Sequence, residues 1–214
     1  MRADTLELTL EQAISRLPNI SPENLTDATL ETYLTELYAL GRLRHIPNIS
    51  PANSAYLQAI LTTRQPANIL EIGCANGYST LRFWQVARAW RAQIVTMDLS
   101  KPPFEEARHH FHATGAVADI ELHHGHALEV VPTLQKPPFD FIFIDAHKAA
   151  TLDFFVRARK LAAPNALIII DDVLKFKHKM QRFYDYLDAN NITYHTVQID
   201  ADDGIMLIDL SEQP

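Results

Sequence analysis

The sequence predicts an α/β fold with a doubly wound sheet of seven strands, an antiparallel C-terminal hairpin and N-terminal helices. First, short apolar runs alternate with helix-length segments from about residue 68 onward. Second, the runs "FDFIFID" and "ALIIID" are too rich in Ile and Phe for half-exposed strands, which indicates central parallel strands covered on both faces. Third, the Asp-Gly pair in "DADDG" lies between the last two apolar runs and favours a hairpin.

The individual elements follow from local patterns of apolar and turn-forming residues. The segment before residue 68 reads as two helices joined by the turn-rich connector "HIPNISP". Farther along, amphipathic segments between the strands predict helices, and the crossovers are expected to be right-handed. The predicted helices cover residues 27–40, 52–63, 78–91, 103–114, 148–162 and 175–190, and the predicted strands are "NILEIG", "QIVTMD", "DIELHH", "FDFIFID", "ALIIID", "ITYHTVQI" and "IMLIDL".

Composition limits the classes of protein that fit this chain. With 214 residues and 47% hydrophobic content, we expect one compact domain over residues 66–214 and a helical extension over residues 1–65. A net charge of −7 gives no general attraction to nucleic acid or to an anionic membrane. The single cysteine, Cys74, excludes an internal disulfide and reads as a packed small residue rather than a nucleophile. Because no long apolar run or leader-like N-terminus is present, we expect a soluble cytoplasmic protein.

The stretch "LEIGCANGYST" places two glycines between an apolar strand and a helix. Gly73 and Gly77 allow the tight turn and the close backbone approach that a bound nucleoside requires. Ser79 and the free amides of the helix start suit an anionic group, although Ser79 also fits as a simple helix cap. Asp98 closes the next strand about twenty residues later, where an acid accepts hydrogen bonds from a ribose. Together these residues favour a nucleoside site over an ordinary strand-to-helix turn.

Acidic side chains follow the two central strands at the points where those strands end. Asp145 ends "FIFID", and Asp171 and Asp172 end "ALIIIDD". If these strands are parallel neighbours about 4.8 Å apart, the carboxylates lie within reach of one ion. All-oxygen ligands suit a hard divalent cation such as Mg²⁺, Ca²⁺ or Mn²⁺, whereas the alternative is that the acids cap helices and face water. Lys148 follows Asp145 closely, so it points either toward the same ion or into solvent.

The ordered set "LEIGCANGYST", "IVTMD", "FIFIDAHK" and "IIIDD" resembles the cation-dependent class I O-methyltransferases, the family of catechol and caffeoyl-CoA O-methyltransferases and their bacterial relatives. The resemblance covers about residues 45–210, where "HIPNISP" and "DDGIML" are also similar to segments of bacterial members. It implies a Rossmann-like fold, S-adenosylmethionine as methyl donor, a divalent cation and a small-molecule acceptor. A homodimer is compatible with this resemblance.

The resemblance also implies roles for the residues of the predicted nucleoside site. Gly73 and Gly77 would shape the methionine pocket, and Ser79 would hold the methionine carboxylate. Asp98 would bind the ribose hydroxyls. Ala127 falls beside the adenine, and the preceding His126 departs from the Asp or Ala frequently found there.

At the strand ends, the resemblance implies a metal site and a catalytic lysine. Asp145, Asp171 and Asp172 fall on the metal-ligand positions, and Asp145 is also expected to border the cofactor. Asp172 stands where many relatives have Asn, so its extra charge should tighten the ion or require a proton. Lys148 occupies the position of the proposed catalytic base. Desolvation and the neighbouring cation would lower the pKa of Lys148 and allow it to take the acceptor proton. Nearby carboxylates would instead raise this pKa, and Lys148 would then only orient the hydroxyl.

These assignments predict a divalent-metal-dependent transfer of a methyl group from S-adenosylmethionine to a hydroxyl of a small catechol-like or enolic acceptor. One alternative is a tRNA hydroxyuridine O-methyltransferase, and another is a non-catalytic nucleoside-binding module. Two basic clusters bear on the tRNA alternative, although the net charge favours solvated surface positions for both. The clusters are Arg42, Arg44 and His45, and Lys175, Lys177, His178 and Lys179.

Histidines and aromatic residues offer further candidates. The histidines of "RHHFH" and "LHHGH" invite a zinc interpretation, but they lie on a predicted helix and at a strand end without cysteine partners. We therefore expect them at the surface or behind other ligands. The aromatic residues expected in the core, rather than stacked on an acceptor, are Tyr33, Tyr38, Phe83 and Trp84.

Overall fold

The computed structural model describes residues 8–135, 138–201 and 203–213. The chain forms a central sheet that is covered by helices. The strands are β1 (Asn68–Ile72), β2 (Gln93–Asp98), β3 (Ile120–His124), β4 (Phe139–Ile144), β5 (Ala162–Ile170), β6 (His195–Gln198) and β7 (Gly204–Asp209). The helices are α1 (Leu10–Ile14), α2 (Asp27–Leu43), α3 (Pro51–Arg64), α4 (Tyr78–Ala87), α5 (Lys101–Thr114), α6 (Ala127–Val130), α7 (Thr151–Arg159) and α8 (Gln181–Ala189).

The sheet has seven strands in the order β3-β2-β1-β4-β5-β7-β6. The strands β1 to β5 pair in parallel, and β7 runs antiparallel to both of its neighbours. The predicted doubly wound sheet with an antiparallel C-terminal hairpin is therefore confirmed. The order of the strands reverses between β1 and β4, and ligand crevices of such sheets lie at the carboxyl ends of the strands near this reversal.

Both faces of the sheet are covered, which explains the continuous apolar runs of its central strands. On β4, Phe141 and Phe143 join a core with α2, α3, α4 and α5. Their neighbours Ile142 and Ile144 point to the opposite face and join a core with α6, α7 and α8. None of these four side chains is more than 2% exposed.

The N-terminal helices begin at clear capping signals and pack on the main body of the protein. Thr26 accepts a hydrogen bond from the Thr29 N–H at the start of α2, and Ser50 precedes the N-terminal proline of α3. Leu34 of α2 and Leu57 of α3 are fully buried in the core that also contains strand residues. The domain boundary at residue 65 stays a prediction.

The predicted helix over residues 175–190 is wrong in its first third. The helix α8 begins only at Gln181, and Lys177–Lys179 forms a short 3-10 turn before it. The stretch "KFKHK" would place several cationic side chains in the first helical turn, where the helix dipole favours negative groups. The amphipathic pattern predicts a helix from residue 175, but the cationic side chains make a helix start at this position unfavourable.

The predicted helix over residues 148–162 is also too long. The helix α7 covers only Thr151–Arg159, and Lys148–Ala150 forms a 3-10 turn, so Lys148 precedes the helix. The strand β5 begins at Ala162 rather than at residue 166, because Ala162 already pairs with Phe139 across an irregular register. The short helices α1 and α6 were not predicted, since their 5 and 4 residues are too few to show helical periodicity. Within the described ranges, every helix is too short or too polar to cross a lipid bilayer.

Candidate functional site

The glycine turn after β1 is tightly packed. Gly73 and Gly77 have φ angles of +95° and +84°, which side-chain-bearing residues rarely adopt. A Cβ atom on Gly73 would lie 2.0 Å from the backbone oxygen of Asp145. A Cβ atom on Gly77 would lie 2.7 Å from the ring of Phe111. Glycine is therefore required at both positions by conformation and by space.

Asp98 at the end of β2 holds this turn in place. Its Oδ2 accepts a hydrogen bond from the Ala75 N–H at 2.9 Å, and its Oδ1 accepts one from the Ser100 N–H at 2.8 Å. Burial raises the pKa of the Asp98 carboxyl above its ordinary value. Each carboxylate oxygen has two lone pairs, so Asp98 retains acceptor capacity on both oxygens for a ligand.

Glu71 is a buried acid on β1 that sequence reasoning did not single out. It is fully buried and accepts hydrogen bonds from the hydroxyls of Ser79, Thr80 and Thr96, with the Ser79 and Thr96 contacts at 2.6 Å. Burial raises the pKa of Glu71 to about 7. Because the Ser79 hydroxyl already donates its proton to Glu71, it is not free to donate to a ligand carboxylate, which is the role that was predicted for it. An acid inside the apolar run "NILEIG" was the signal available in the sequence.

A cavity of about 470 Å³ opens beside the glycine turn, and we call it the donor cavity after the methyl donor that the resemblance implies. Its walls also include His126, whose Nδ1 accepts a hydrogen bond from the Leu128 N–H and whose ring lies 6.0 Å from that of Phe154. Gly77 does not line the donor cavity and faces Phe111 instead. The predicted cofactor residues that do line it are Gly73, Ser79, Asp98, Ala127 and Asp145.

The acids at the ends of β4 and β5 meet at one point. The residues before them, Ile144 and Ile170, are direct partners in the parallel pairing of the two strands. One carboxylate oxygen from each acid lies within 4.8 Å of the others, and within the described part of the chain this is the one such group of acids, histidines and cysteines. The zinc interpretation of the histidines therefore gains no support. The acids, called here the aspartate cluster, are Asp145, Asp171 and Asp172.

The aspartate cluster has more negative charge than its surroundings balance. Burial raises the pKa of Asp171 and of Asp145, and repulsion within the cluster adds to both effects. Lys148 donates from Nζ to Asp145 Oδ1 at 2.7 Å and lies 3.2 Å from Asp172 Oδ2. Although burial opposes its charge, the carboxylates raise the pKa of Lys148. Asp172 differs from the other two acids: although burial opposes its charge, a hydrogen bond with Asp203 and the charges of Lys148 and Lys175 lower its pKa. The unbalanced charge therefore lies on Asp145 and Asp171, where a further cation would be favoured.

Asn53 completes the oxygen-rich surroundings of the aspartate cluster. This α3 residue is 6% exposed, and its Nδ2 donates to Asp171 Oδ1 at 2.9 Å. Its Oδ1 is buried and has no hydrogen-bond partner among the described residues. A buried carbonyl oxygen beside carboxylates matches the all-oxygen donor set of a hard divalent cation. Asn53 was missed from the sequence because it lies 118 positions away from its partner.

A second cavity of about 530 Å³ is lined by all three acids of the aspartate cluster, and we call it the acceptor cavity after the methyl acceptor that the sequence predicts. Asp145 and Asp172 line both cavities, as do Pro47, Asn48, Ile49 and Phe176. Tyr38 is only half-buried: it packs against the core and also lines the acceptor cavity. Acids of the aspartate cluster therefore border two cavities that each suit a small molecule.

The remaining aromatic and histidine predictions have mixed outcomes. Tyr33, Phe83 and Trp84 are buried as expected, and so is Cys74. His110 is 1% exposed, because its Nδ1 forms a buried hydrogen bond with the Tyr33 hydroxyl. The surface expectation is therefore wrong for this histidine.

The basic clusters divide between different environments. Arg44 forms a bidentate pair with Glu106, so it is not a free surface charge. Arg42 and His45 line the acceptor cavity. The second cluster lies on the turn before α8, where Lys175 and Lys179 both lie over the ring of Phe176.

Comparison with known proteins identifies the family. A family model described as O-methyltransferase matches residues 24–208 of the chain. The chain belongs to this O-methyltransferase family. Within the match lie the glycine turn, the end of β2 and the aspartate cluster. A catechol O-methyltransferase of Niastella koreensis is 32% identical over 133 residues, which are 60% of this chain and 59% of the relative. The chain spans about half to three-fifths of the length of the curated relatives it matches, at 49%, 59% and 57%.

Solved structures with the O-methyltransferase name share the fold. An O-methyltransferase from Bacillus cereus in complex with SAH has a TM-score of 0.72 and 27% identity, with 87% of this chain and 92% of that chain covered. TomG from Streptomyces achromogenes, an O-methyltransferase involved in tomaymycin synthesis and solved with SAM, has a TM-score of 0.71 and 26% identity, with coverage of 82% and 88%. The Rossmann-like fold expected from the sequence is confirmed by these neighbours.

Proposed function

We propose that this protein is a divalent-metal-dependent O-methyltransferase that moves a methyl group from S-adenosylmethionine to a hydroxyl of a small catechol-like or enolic acceptor. The observation that carries the proposal is the position of Asp145 and Asp172, which line both cavities. Donor and acceptor in the two cavities would meet at these carboxylates, and such positioning supplies much of the catalysis in a transfer between two bound substrates. Family membership supports oxygen as the methyl acceptor.

The donor cavity offers groups that complement S-adenosylmethionine. Asp98 would accept hydrogen bonds from the ribose hydroxyls with its remaining lone pairs. Because the Ser79 hydroxyl donates to Glu71, the backbone N–H groups in the first turn of α4 are the better donors for the methionine carboxylate. Gly73 would allow the close approach of the methionine moiety, and Ala127 would border the adenine.

The aspartate cluster fits a divalent cation such as Mg²⁺, Ca²⁺ or Mn²⁺. Asp145, Asp171 and Asp172 would supply carboxylate oxygens, and Asn53 has a buried carbonyl oxygen beside them. When bound, S-adenosylmethionine supplies the methyl group and the divalent cation lowers the pKa of the acceptor hydroxyl. The extra carboxylate of Asp172 adds charge to hold the ion.

Lys148 is the proposed catalytic lysine. Its Nζ contacts Asp145, Asp172 and the carbonyl oxygen of Asp171 at 3.3 Å or less. The carboxylates oppose loss of its proton, so in this arrangement Lys148 is an ammonium group. Its charge therefore favours a role in orienting the acceptor hydroxyl over a role as general base.

A small acceptor explains the basic residues better than tRNA does. Arg44 is committed to Glu106, and the acceptor cavity of about 530 Å³ matches the size of ordinary small-molecule sites. We expect no salt-sensitive shift of tRNA in a native gel at protein concentrations that support methylation of a catechol. A tRNA shift that weakens with salt would instead support the tRNA alternative.

The proposed function is tested by methyl transfer from labelled S-adenosylmethionine to catechol, with Mg²⁺ or with excess EDTA. We expect EDTA to abolish turnover, while binding of S-adenosylhomocysteine, measured by calorimetry, stays largely intact. Full activity in excess EDTA would contradict the metal dependence. Donor binding without turnover on catechols or tRNA would support the non-catalytic module.

A further inference from the structure

A buried network connects the N-terminal helix α2 to the glycine turn. Arg44, just after α2, donates from Nη1 to Glu106 Oε1 at 2.7 Å and from Nη2 to Glu106 Oε2 at 2.9 Å. Glu106 belongs to α5 and is 3% exposed. Asn76, a fully buried residue inside the turn, donates from Nδ2 to Glu106 Oε1 at 3.4 Å. The same carboxylate therefore contacts the N-terminal extension and the donor cavity's turn.

The turn needs such support because its backbone is strained. Ala75 has a φ angle of +45° and lies between two glycines that also have positive φ angles. A residue with a Cβ atom in this conformation carries a free-energy cost and persists only where its surroundings fix it. Asp98 holds the Ala75 N–H, and Glu106 holds the side chain of the next residue, Asn76. Two carboxylates thus fix adjacent residues of the strained segment.

The Glu106 carboxylate is itself held on more than one side. Besides the bidentate contact with Arg44, its Oε1 lies 3.6 Å from His110 Nε2. His110 is in turn fixed by a hydrogen bond of 2.7 Å between its Nδ1 and the Tyr33 hydroxyl of α2. Because Glu106, His110 and Tyr33 are all at most 3% exposed, water has little access to this network. A buried and well-connected carboxylate is able to set the position of the group it binds.

We infer that Glu106 is a positioning residue for the methyl donor: Arg44 fixes its carboxylate, which holds Asn76 and thereby the turn that borders the donor cavity. The inference rests on the proposed function, because it takes S-adenosylmethionine as the ligand of that cavity. By this inference, α2 affects the affinity for the donor through Arg44, which directly follows the helix. The helix α2 also contributes Tyr38 and Arg42 to the acceptor cavity.

The test compares paired substitutions, because removal of one partner leaves a buried charge unpaired and reduces stability. Arg44→Met with Glu106→Met replaces the ion pair by apolar side chains, an exchange that is often neutral for stability. Arg44→Met with Glu106→Gln keeps a side-chain carbonyl that is able to accept from Asn76. Arg88→Met is the matched control, because Arg88 forms a more exposed ion pair with Asp27 of α2 and lines neither cavity.

Calorimetry with S-adenosylhomocysteine, thermal unfolding and steady-state kinetics provide the readouts. We expect the Met/Met variant to stay folded, to raise the Kd for S-adenosylhomocysteine about tenfold and to leave the KM for the acceptor unchanged. The Met/Gln variant should recover most of the lost affinity, and Arg88→Met should bind like wild type. This recovery distinguishes positioning from a general loss of structure.

Two results would overturn the inference. A folded Met/Met variant with wild-type affinity would remove the positioning role of Glu106. If the Met/Met variant does not fold, Asn76→Ala decides: the same loss of affinity supports the inference, and wild-type affinity overturns it. Wild-type protein that does not bind S-adenosylhomocysteine at all would contradict the proposed function itself, a result that is separable because it appears before any variant is compared.

Discussion

The buried carboxylate of Glu106 and the partly buried carboxylates of the aspartate cluster are balanced in opposite ways. Glu106 forms a bidentate ion pair with Arg44. Burial alone would raise the pKa of Glu106, but contacts with His110 and Arg44 lower it to about 2. In the aspartate cluster, Lys148 contacts the carboxylates of Asp145 and Asp172, and the pKa values of Asp145 and Asp171 are raised, whereas that of Asp172 is lowered. The first group is neutralised within the protein, and the second has unbalanced negative charge.

This difference separates a structural use of buried charge from a ligand-binding use. An acid with its own arginine contributes to the folded state without any further partner. Acids that repel one another lower stability unless something outside the chain neutralises them. Buried side-chain atoms without a hydrogen-bond partner among the described residues occur in both groups: Asn53 Oδ1 beside Asp171, and Asn76 Oδ1 and His110 Nε2 beside Glu106. The separation of the two groups therefore rests on their charge balance. On this comparison, our proposals assign the aspartate cluster to a cation and Glu106 to the glycine turn.

The largest expected effect is on activity. Asp171→Asn should lower kcat/KM for methyl transfer on the order of a hundredfold to a thousandfold, as expected when a preorganised electrostatic contact is lost. S-adenosylhomocysteine binding should change little, because Asp171 does not line the donor cavity. Asp140→Asn is the matched control: Asp140 lies at the opposite end of β4, where it accepts hydrogen bonds from the Ala67 and Asn68 N–H groups. Equal activity of Asp171→Asn and wild type would argue against the metal site.

A smaller effect is expected on stability, with opposite signs for the two groups. Glu106→Gln should lower the free energy of unfolding by about 3 kcal/mol, because it leaves the Arg44 charge largely buried and unpaired. Asp171→Asn should raise the unfolding temperature of metal-free protein by relieving repulsion in the aspartate cluster.

Urea and thermal unfolding measure both changes. The control for Glu106 is Glu105→Gln on the same helix, which breaks the pair of Glu105 with Arg108. Because the Arg108 side chain is 59% exposed, no buried charge is left unpaired, and the cost should stay below about 1 kcal/mol. Equal destabilisation by Glu106→Gln and Glu105→Gln would mean that the buried pair has no special weight. A less stable Asp171→Asn protein without metal would mean that the cluster is not under repulsion.

The smallest expected effect is a pH dependence from Glu106. Its pKa is lowered from the ordinary 4.5 to about 2 in the folded protein, so its contribution is fully present above pH 4.5 and is lost as the pH falls through about 2. Unfolding by urea over this range should therefore show a steeper loss of stability for wild type than for the Arg44→Met, Glu106→Met variant. Parallel curves would show that Glu106 is not held as an anion.

Local sequence patterns were sufficient to predict the sheet and the position of the acids at its edge. The apolar runs of β4 and β5 and the residues that end them are encoded in consecutive positions, so the aspartate cluster followed from the parallel pairing alone. The predicted start of α8 was wrong because hydrophobic periodicity does not reflect the unfavourable interaction of cationic side chains with a helix N-terminus.

Contacts between distant segments were beyond sequence reasoning. Asn53 reaches Asp171 across 118 positions, and Arg44 reaches Glu106 across 62. Nothing near Arg44 in the sequence distinguishes it from the exposed Arg42, so both read as one basic cluster. The use of the Ser79 hydroxyl by Glu71 likewise depends on how α4 packs against β1. Such pairings arise from tertiary packing, which a single sequence does not display.

The central claim is that the aspartate cluster binds one divalent cation between the donor and acceptor cavities. It is tested most directly by a crystal soaked with Mn²⁺ and S-adenosylhomocysteine, with diffraction measured where manganese scatters anomalously. We predict a single anomalous peak within coordination distance of Asp145, Asp171 and Asp172, with the ligand in the donor cavity. A donor-bound crystal without a peak at these carboxylates, or with manganese bound elsewhere, would contradict the account.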